Sequence, residues 1–202
     1  MAAISRVAAD ARLFGASGTL ATAVVAKADI LGDQGLVEEA LALLEEATGP
    51  SAPPVWGPQV PSFSFAPLFA AQSKWLNALG RRSEAIDAAH KVTELRRAEF
   101  DGLKAPGRPG GSRAIGVYWG LGTSLLAESR LLGGDGRWPQ ALAAADEAAV
   151  LLAEEEDILA PMRPTPRSRA VSADLAAARE QRNNALVALG GSDAQDPPVE
   201  EP

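Results

Sequence analysis

The chain lacks cysteine altogether and has one histidine among its 202 residues. Without cysteine, a disulfide framework, a thiolate metal site and a cysteine nucleophile are all excluded. A metal site or a proton relay built on His90 would need partner residues that the sequence does not supply, so we expect a surface histidine. The absence of cysteine is also compatible with the cytoplasm, which is the location we expect.

Aromatic residues and positive charge are also scarce. Aromatics make up 5% of the chain although 47% of it is hydrophobic, so alanine and leucine supply most of the apolar surface. Alanine favours helices and is depleted in strands. The net charge of −7 lacks the basic character that nucleic acid or an anionic membrane would attract. No apolar run approaches the roughly 18 residues of a membrane span. We therefore expect a helical protein that binds neither nucleic acid nor membrane.

The basic residues are 15 arginines and only four lysines. Together with the abundant alanine and glycine, this usage is typical of a GC-rich bacterial gene.

The chain does contain a motif that occurs three times, beginning at Gly35, Gly80 and Gly136. In each copy a glycine turn precedes an alanine-rich acidic segment, with a small residue five positions after the glycine and small or apolar residues nine and twelve positions after it. Self-similarity of this kind predicts an array of equivalent structural units.

Hydrophobic periodicity, glycine turns and prolines predict about eight helices and no strand. The predicted helices cover residues 3–14, 19–31, 36–48, 67–79, 83–100, 115–132, 139–158 and 168–189. Ser83 is expected to cap the fifth helix. Gly116, Gly120 and Gly122 fall inside the sixth, where we expect a neighbouring helix to approach closely. Residues 1–190 are predicted to form one domain, followed by a disordered acidic, proline-rich tail over residues 191–202.

The glycine turns and the small residues Ala40, Ala85 and Ala141 resemble those of tetratricopeptide repeats, over about residues 19–190. The resemblance implies an all-α fold in which helical hairpins stack as a short right-handed solenoid. Two features depart from the family. The turn glycines, of which Gly190 is the last, are 45, 56 and 54 residues apart, against about 34 in the family, and the Trp, Leu-Gly, Tyr pattern of the first helix is poor. An irregular all-helical domain is the alternative.

The resemblance also implies that a partner binds on the first helices of the hairpins. Alignment on the turn glycines places Asp29, Lys74 and Arg130 six residues before the turn, and Asn184 at the same position of the last helix. The candidate binding residues are Lys74, Asn77, Arg130, Glu180 and Asn184. Three of them, Lys74, Arg130 and Asn184, are donors that would hold a peptide carboxylate or an acidic side chain. The alternative is that they are ordinary solvated residues.

No catalytic or metal-binding motif is found, and we expect no catalytic residue, metal or cofactor. The segment Gly133 to Gly136 lacks the preceding strand and the lysine of a phosphate loop, so we interpret it as a helix turn. The acidic run from Glu154 to Asp157 could suggest a cation site, but adjacent helical residues point in different directions, so we expect a solvated helix end.

Most aromatic residues are expected to pack between helices. They are Trp75, Tyr118, Trp119 and Trp138. Trp56 and Phe63 lie in a proline-rich connection and are candidates to cover a groove.

These observations favour a non-enzymatic module that binds a protein or a peptide. Two alternatives are a sensor or regulatory segment of a larger bacterial signalling protein and an accessory subunit of an enzyme. The last helix is predicted either to cap the array or to begin a further repeat of a longer protein. Its polar residues Arg179, Arg182, Asn183 and Asn184 favour the cap. The sequence indicates neither the partner nor the oligomeric state.

Overall fold

The computed structural model describes residues 17–49, 65–104 and 116–190, which form seven α-helices and contain no strand. The helices are α1 (Ser17–Asp33), α2 (Val37–Thr48), α3 (Ala66–Ala78), α4 (Arg82–Lys104), α5 (Val117–Gly134), α6 (Trp138–Leu159) and α7 (Pro166–Ala188). The all-helical prediction is therefore confirmed for these ranges. The helix predicted over residues 3–14 and the tail over residues 191–202 lie outside the described residues, as do Trp56 and Phe63.

Several predicted helix ends are wrong. Helix α4 begins at Arg82 and continues to Lys104, so Ser83 lies inside the first turn and is not the cap. Helix α5 begins after Gly116, which has a left-handed φ of +104° and therefore precedes the helix. Helix α7 begins two residues earlier than predicted, because the Thr165 side chain accepts a hydrogen bond from the Ser168 backbone N–H and caps it.

The three turns that join α1 to α2, α3 to α4 and α5 to α6 have the same hydrogen bonds. Their glycines, Gly35, Gly80 and Gly136, have φ values of +83°, +74° and +77°. In each turn the N–H of the residue after the glycine donates to the carbonyl five residues earlier, over 2.8–2.9 Å; the pairs are Leu36 with Leu31, Arg81 with Leu76, and Arg137 with Leu132. This pattern is the Schellman motif, which favours glycine at the left-handed position. The sequence repeat is therefore also a repeat of helical hairpins.

The small residues five positions after the turn glycines are fully buried between the two helices of each hairpin; they are Ala40, Ala85 and Ala141. In the second hairpin the Ser73 hydroxyl donates to the Ala85 carbonyl over 2.8 Å. In the third hairpin Ser129 makes the equivalent bond to Ala141 over 2.6 Å. The first hairpin has the buried Ala28 at the position of these serines.

Each helix packs on the next one in the chain, and α1 also contacts α3 as α5 contacts α7. One apolar core joins α1, α2 and α3 and extends to α4, and a second joins α5, α6 and α7. Within the described ranges, α3 and α5 do not pack closely on one another. The row of first helices is therefore open between the second and third hairpins.

The predicted close approach at an internal glycine is confirmed at Gly122. A Cβ atom there would lie 2.8 Å from Cγ of Leu152, so α5 and α6 meet at a distance that only glycine allows. None of the helices in the described ranges has the length and apolar character needed to span a membrane.

Candidate functional site

A cleft of about 460 Å³ lies between α3 and α5, and α4 forms its floor. Its walls consist mainly of small residues spaced three or four positions apart. On α3 these are Ala66, Ala70 and Ser73, and on the other side they are Gly116, which directly precedes α5, and Gly120, Thr123 and Ala127 of α5. This spacing places each set on one side of its helix. These small residues leave the cleft open between the two helices.

The junction between the first and second hairpins is filled instead. Trp75 of α3 is buried against Gly32 of α1, where a Cβ atom would lie 2.3 Å from the indole ring. The large ring therefore seals the contact between α1 and α3. The prediction that Trp75 packs between helices is confirmed.

The polar groups of the cleft are few. The hydroxyls of Thr123 and Ser124 donate to carbonyls of their own helix, each over 2.8 Å, and Ser73 donates across its hairpin. Arg96 lies on the floor and is partly buried, and its Nη1 donates to Oε2 of Glu99 over 2.9 Å. The remaining lining is mostly aliphatic, so the cleft is an apolar site with one arginine, which is paired with Glu99.

Trp119 forms part of the α5 wall, and two residues of α7 fix its orientation. Its indole Nε1–H donates to Oδ2 of Asp174 over 2.8 Å. The guanidinium of Arg167 lies 5.4 Å from the ring centroid, within the range of a cation–π contact. Trp119 also packs against the second core, as predicted for this residue. The cleft wall is thereby connected to the last described helix.

A fully buried carboxylate holds the start of α5 in place. Glu155 of α6 accepts one hydrogen bond from Arg167 Nη2 over 2.9 Å and another from the Gly116 backbone N–H over 3.1 Å. A solvated position is therefore wrong for Glu155, although Glu154 and Asp157 are exposed. The described residues contain no group of three or more potential protein ligands that could hold a metal ion.

The other two aromatic residues also pack between helices as predicted. The rings of Tyr118 and Phe100 meet edge to face at 5.0 Å. Trp138 packs against a small cluster that joins α4, α5 and α6.

The five candidate residues from the sequence are all exposed. Lys74 Nζ lies 2.8 Å from Oδ1 of Asp29 on α1 and 4.2 Å from the centroid of the Trp75 ring. The structure therefore brings Lys74 to Asp29, which balances its charge.

The remaining candidates fall into two groups. Asn77 continues the row of cleft residues along α3, and Arg130 continues the row along α5, each about one turn beyond the lining. Glu180 and Asn184 lie on α7, which does not line the cleft.

Sequence reasoning missed Arg96 as a site residue. It sought the binding surface only on the first helices, whereas Arg96 lies on the second helix of its hairpin. It also assigned Trp119 to packing alone. A usable signal was the row of small residues on α5, whose spacing of three and four places them on one side of that helix.

The charged pairs described next lie away from the cleft. The prediction that His90 lies at the surface is confirmed: its side chain is 62% exposed, and Nδ1 lies 2.9 Å from Oε1 of Glu128. A hydrogen bond that Arg81 donates lowers the pKa of Glu84, and the hydrogen bond that Arg97 donates to Glu147 raises the pKa of Arg97. None of these residues lines the cleft.

Comparison of the chain with protein-family models, with curated proteins and with solved structures finds no match. The function is therefore inferred from the geometry of the molecule.

Proposed function

We propose that this protein is a non-enzymatic interaction module of the tetratricopeptide type, which binds a segment of a partner protein in the cleft between α3 and α5. The cleft itself is the observation that supports the proposal. Its volume of about 460 Å³ is within the range of roughly 300–1,000 Å³ that is common for ligand sites. Its walls are small and mostly apolar, which suits the side chains of a bound segment.

In this proposal the hairpins stack as a short right-handed solenoid. The identical turn hydrogen bonds and the packing of consecutive helices support a repeated unit. The first helices, α1, α3, α5 and α7, would then line one concave face. The cleft would be the deepest part of that face, since it lies between two first helices.

The partner segment would carry small apolar side chains and a carboxylate. Arg130 and Asn77 lie beyond the cleft lining as exposed donors for that carboxylate. Lys74 contributes less because Asp29 already balances its charge. Glu180 and Asn184 would extend the surface along α7. The net charge of −7 supports a partner other than nucleic acid.

Blocking the cleft tests this function. Ala70 is exposed on the α3 wall, and Ala70→Phe places a large ring in the cleft. We expect this variant to lose the partner that the wild-type protein captures from an extract of its source cells. The capture is read by quantitative mass spectrometry.

Ala143→Phe is the matched control, because Ala143 is also an exposed alanine but lies on α6 away from the cleft. Thermal melts of both variants check that they are folded. If Ala70→Phe captures the same partner as strongly as Ala143→Phe does, the cleft is not the binding site.

A further inference from the structure

We propose that Arg96 selects an acidic side chain on the segment bound in the cleft, and that it is the main determinant of specificity there. This inference rests on the proposed function and adds a residue on the second helix of a hairpin. The occupant is a partner segment with an aspartate or glutamate next to small aliphatic residues, and this acidic residue is separate from the carboxylate that would face Arg130 and Asn77.

The position of Arg96 leaves part of its guanidinium open to the cleft. Its side chain is 30% exposed, and only Nη1 is used, in the bond of 2.9 Å to Glu99. Among the described residues, no partner is found for its Nε–H or for its Nη2. Gly120 faces the guanidinium from α5, where even a Cβ atom would be 3.7 Å from Nε. The missing side chain at Gly120 therefore keeps the N–H groups accessible.

The chemistry of a guanidinium then defines what it binds. Its N–H donors form a planar fork that matches the two oxygens of a carboxylate. Glu99 already balances the charge of Arg96, as Asp29 balances that of Lys74, so recognition depends on the unused N–H donors of the guanidinium. Ala89 and Val92 beside the guanidinium limit the water that competes for those donors. Glu99 orients the group through one nitrogen and leaves the others unused.

The size and lining of the cleft favour an acidic peptide segment over a free anion. An isolated anion would cover Arg96 but would leave the aliphatic walls of α3 and α5 in contact with water, which is unfavourable. Ala66 and Ala70 on one side and Ala127 on the other provide those walls. Small aliphatic side chains on both sides of the acidic residue would cover them.

The test is a selection of peptides from a random displayed library on three immobilised proteins: wild type, Arg96→Gln and Arg97→Gln. The matched control is Arg97→Gln, which removes the same charge from the adjacent position and also breaks an arginine–glutamate pair, the bond of 2.6 Å to Glu147. Arg97 does not line the cleft. We expect wild type and Arg97→Gln to enrich peptides with an acidic residue among small aliphatic ones.

The affinities of one enriched peptide for wild type and the variants then measure how much Arg96 contributes to binding. Loss of one charge-assisted hydrogen bond predicts a roughly tenfold or greater weakening in Arg96→Gln. Replacing the acidic residue of the peptide by its amide should weaken wild-type binding equally and should have little further effect in Arg96→Gln. Arg96→Lys keeps the charge without the planar fork, so we expect an intermediate affinity.

Two results would overturn the inference and leave the proposed function intact: enriched peptides without an acidic residue, or acidic peptides that bind Arg96→Gln as tightly as wild type. Peptides that bind Ala70→Phe as well as wild type would instead overturn the proposed function. A selection that enriches no peptide, or a small anion found in the purified protein by native mass spectrometry, counts against both.

Discussion

Gly116 lines the cleft and also has a backbone conformation that favours glycine. Its φ of +104° is in the left-handed region, and a Cβ atom there would lie 2.3 Å from Nη2 of Arg167. Its N–H is also one of the two donors to the buried Glu155. A side chain at position 116 would therefore disturb both the start of α5 and the ion pair beneath it.

We expect Gly116→Ala to lower the free energy of unfolding by about 1–2 kcal/mol or more, because an L-residue is strained at this φ. Gly120→Ala is the control, since that glycine lies inside α5 and its added Cβ would make only ordinary contacts, from 3.7 Å. Higher helix propensity should stabilise this second variant by about 0.5–1 kcal/mol. Urea denaturation measures both values. If both variants change the free energy of unfolding by the same amount in the same direction, the left-handed backbone at Gly116 is not a structural requirement.

The role of Glu155 was not predictable from its neighbours in the sequence. It stands in an acidic run, and such runs at helix ends are commonly solvated. Its burial depends on Arg167 and on Gly116, which are supplied by the following helix and by a residue 39 positions earlier. Only the tertiary arrangement shows that this one member of the run points inwards.

At the scale of the helical elements, the hairpins are held closed by small residues and by a hydroxyl. Ser73 and Ser129 occupy equivalent positions and donate to equivalent carbonyls. The first hairpin accommodates Ala28 at the same position, fully buried. Alanine therefore fits this position, and the hydrogen bond is an addition to the packing.

We expect Ser73→Ala and Ser129→Ala each to lower the free energy of unfolding by about 1 kcal/mol, the net value of one hydrogen bond. Thermal or urea unfolding measures the change. Ser124→Ala is the control, because that buried hydroxyl bonds only to Leu121 in its own helix. If all three variants unfold at the same denaturant concentration, the serines do not join the two helices of the hairpins.

The hairpins themselves were predictable because their signals are local. A glycine at a left-handed turn and a small residue five positions later constrain only the nearest two helices. The predicted helix starts at Ser83 and Ser168 are wrong by one and two residues, since proline and serine are compatible with several positions near a helix start. The cap at Thr165 depends on a geometry that the pattern alone does not define.

At the scale of the whole molecule, the cleft results from two different junctions between hairpins. Trp75 closes the first by covering Gly32, while small residues on α3 and α5 leave the second open. The ion pair of Arg97 with Glu147 joins α4 to α6, the helices that precede and follow α5 in the chain. The sequence predicts that Trp75 packs between helices, but not that it covers Gly32 or that α3 and α5 leave a cleft between them, because both depend on how neighbouring hairpins align.

The central claim is that a partner binds between α3 and α5, and the absence of cysteine from the chain allows a direct test. Single cysteines are introduced by Ala127→Cys in the cleft and by Ala143→Cys on exposed α6. Each is coupled to a short photoactivatable crosslinker and irradiated in an extract of the source cells. We expect the label at position 127 to crosslink one partner protein, and we expect the label at position 143 not to crosslink that protein. Crosslinking of that partner from position 143 but not from position 127 would contradict the account.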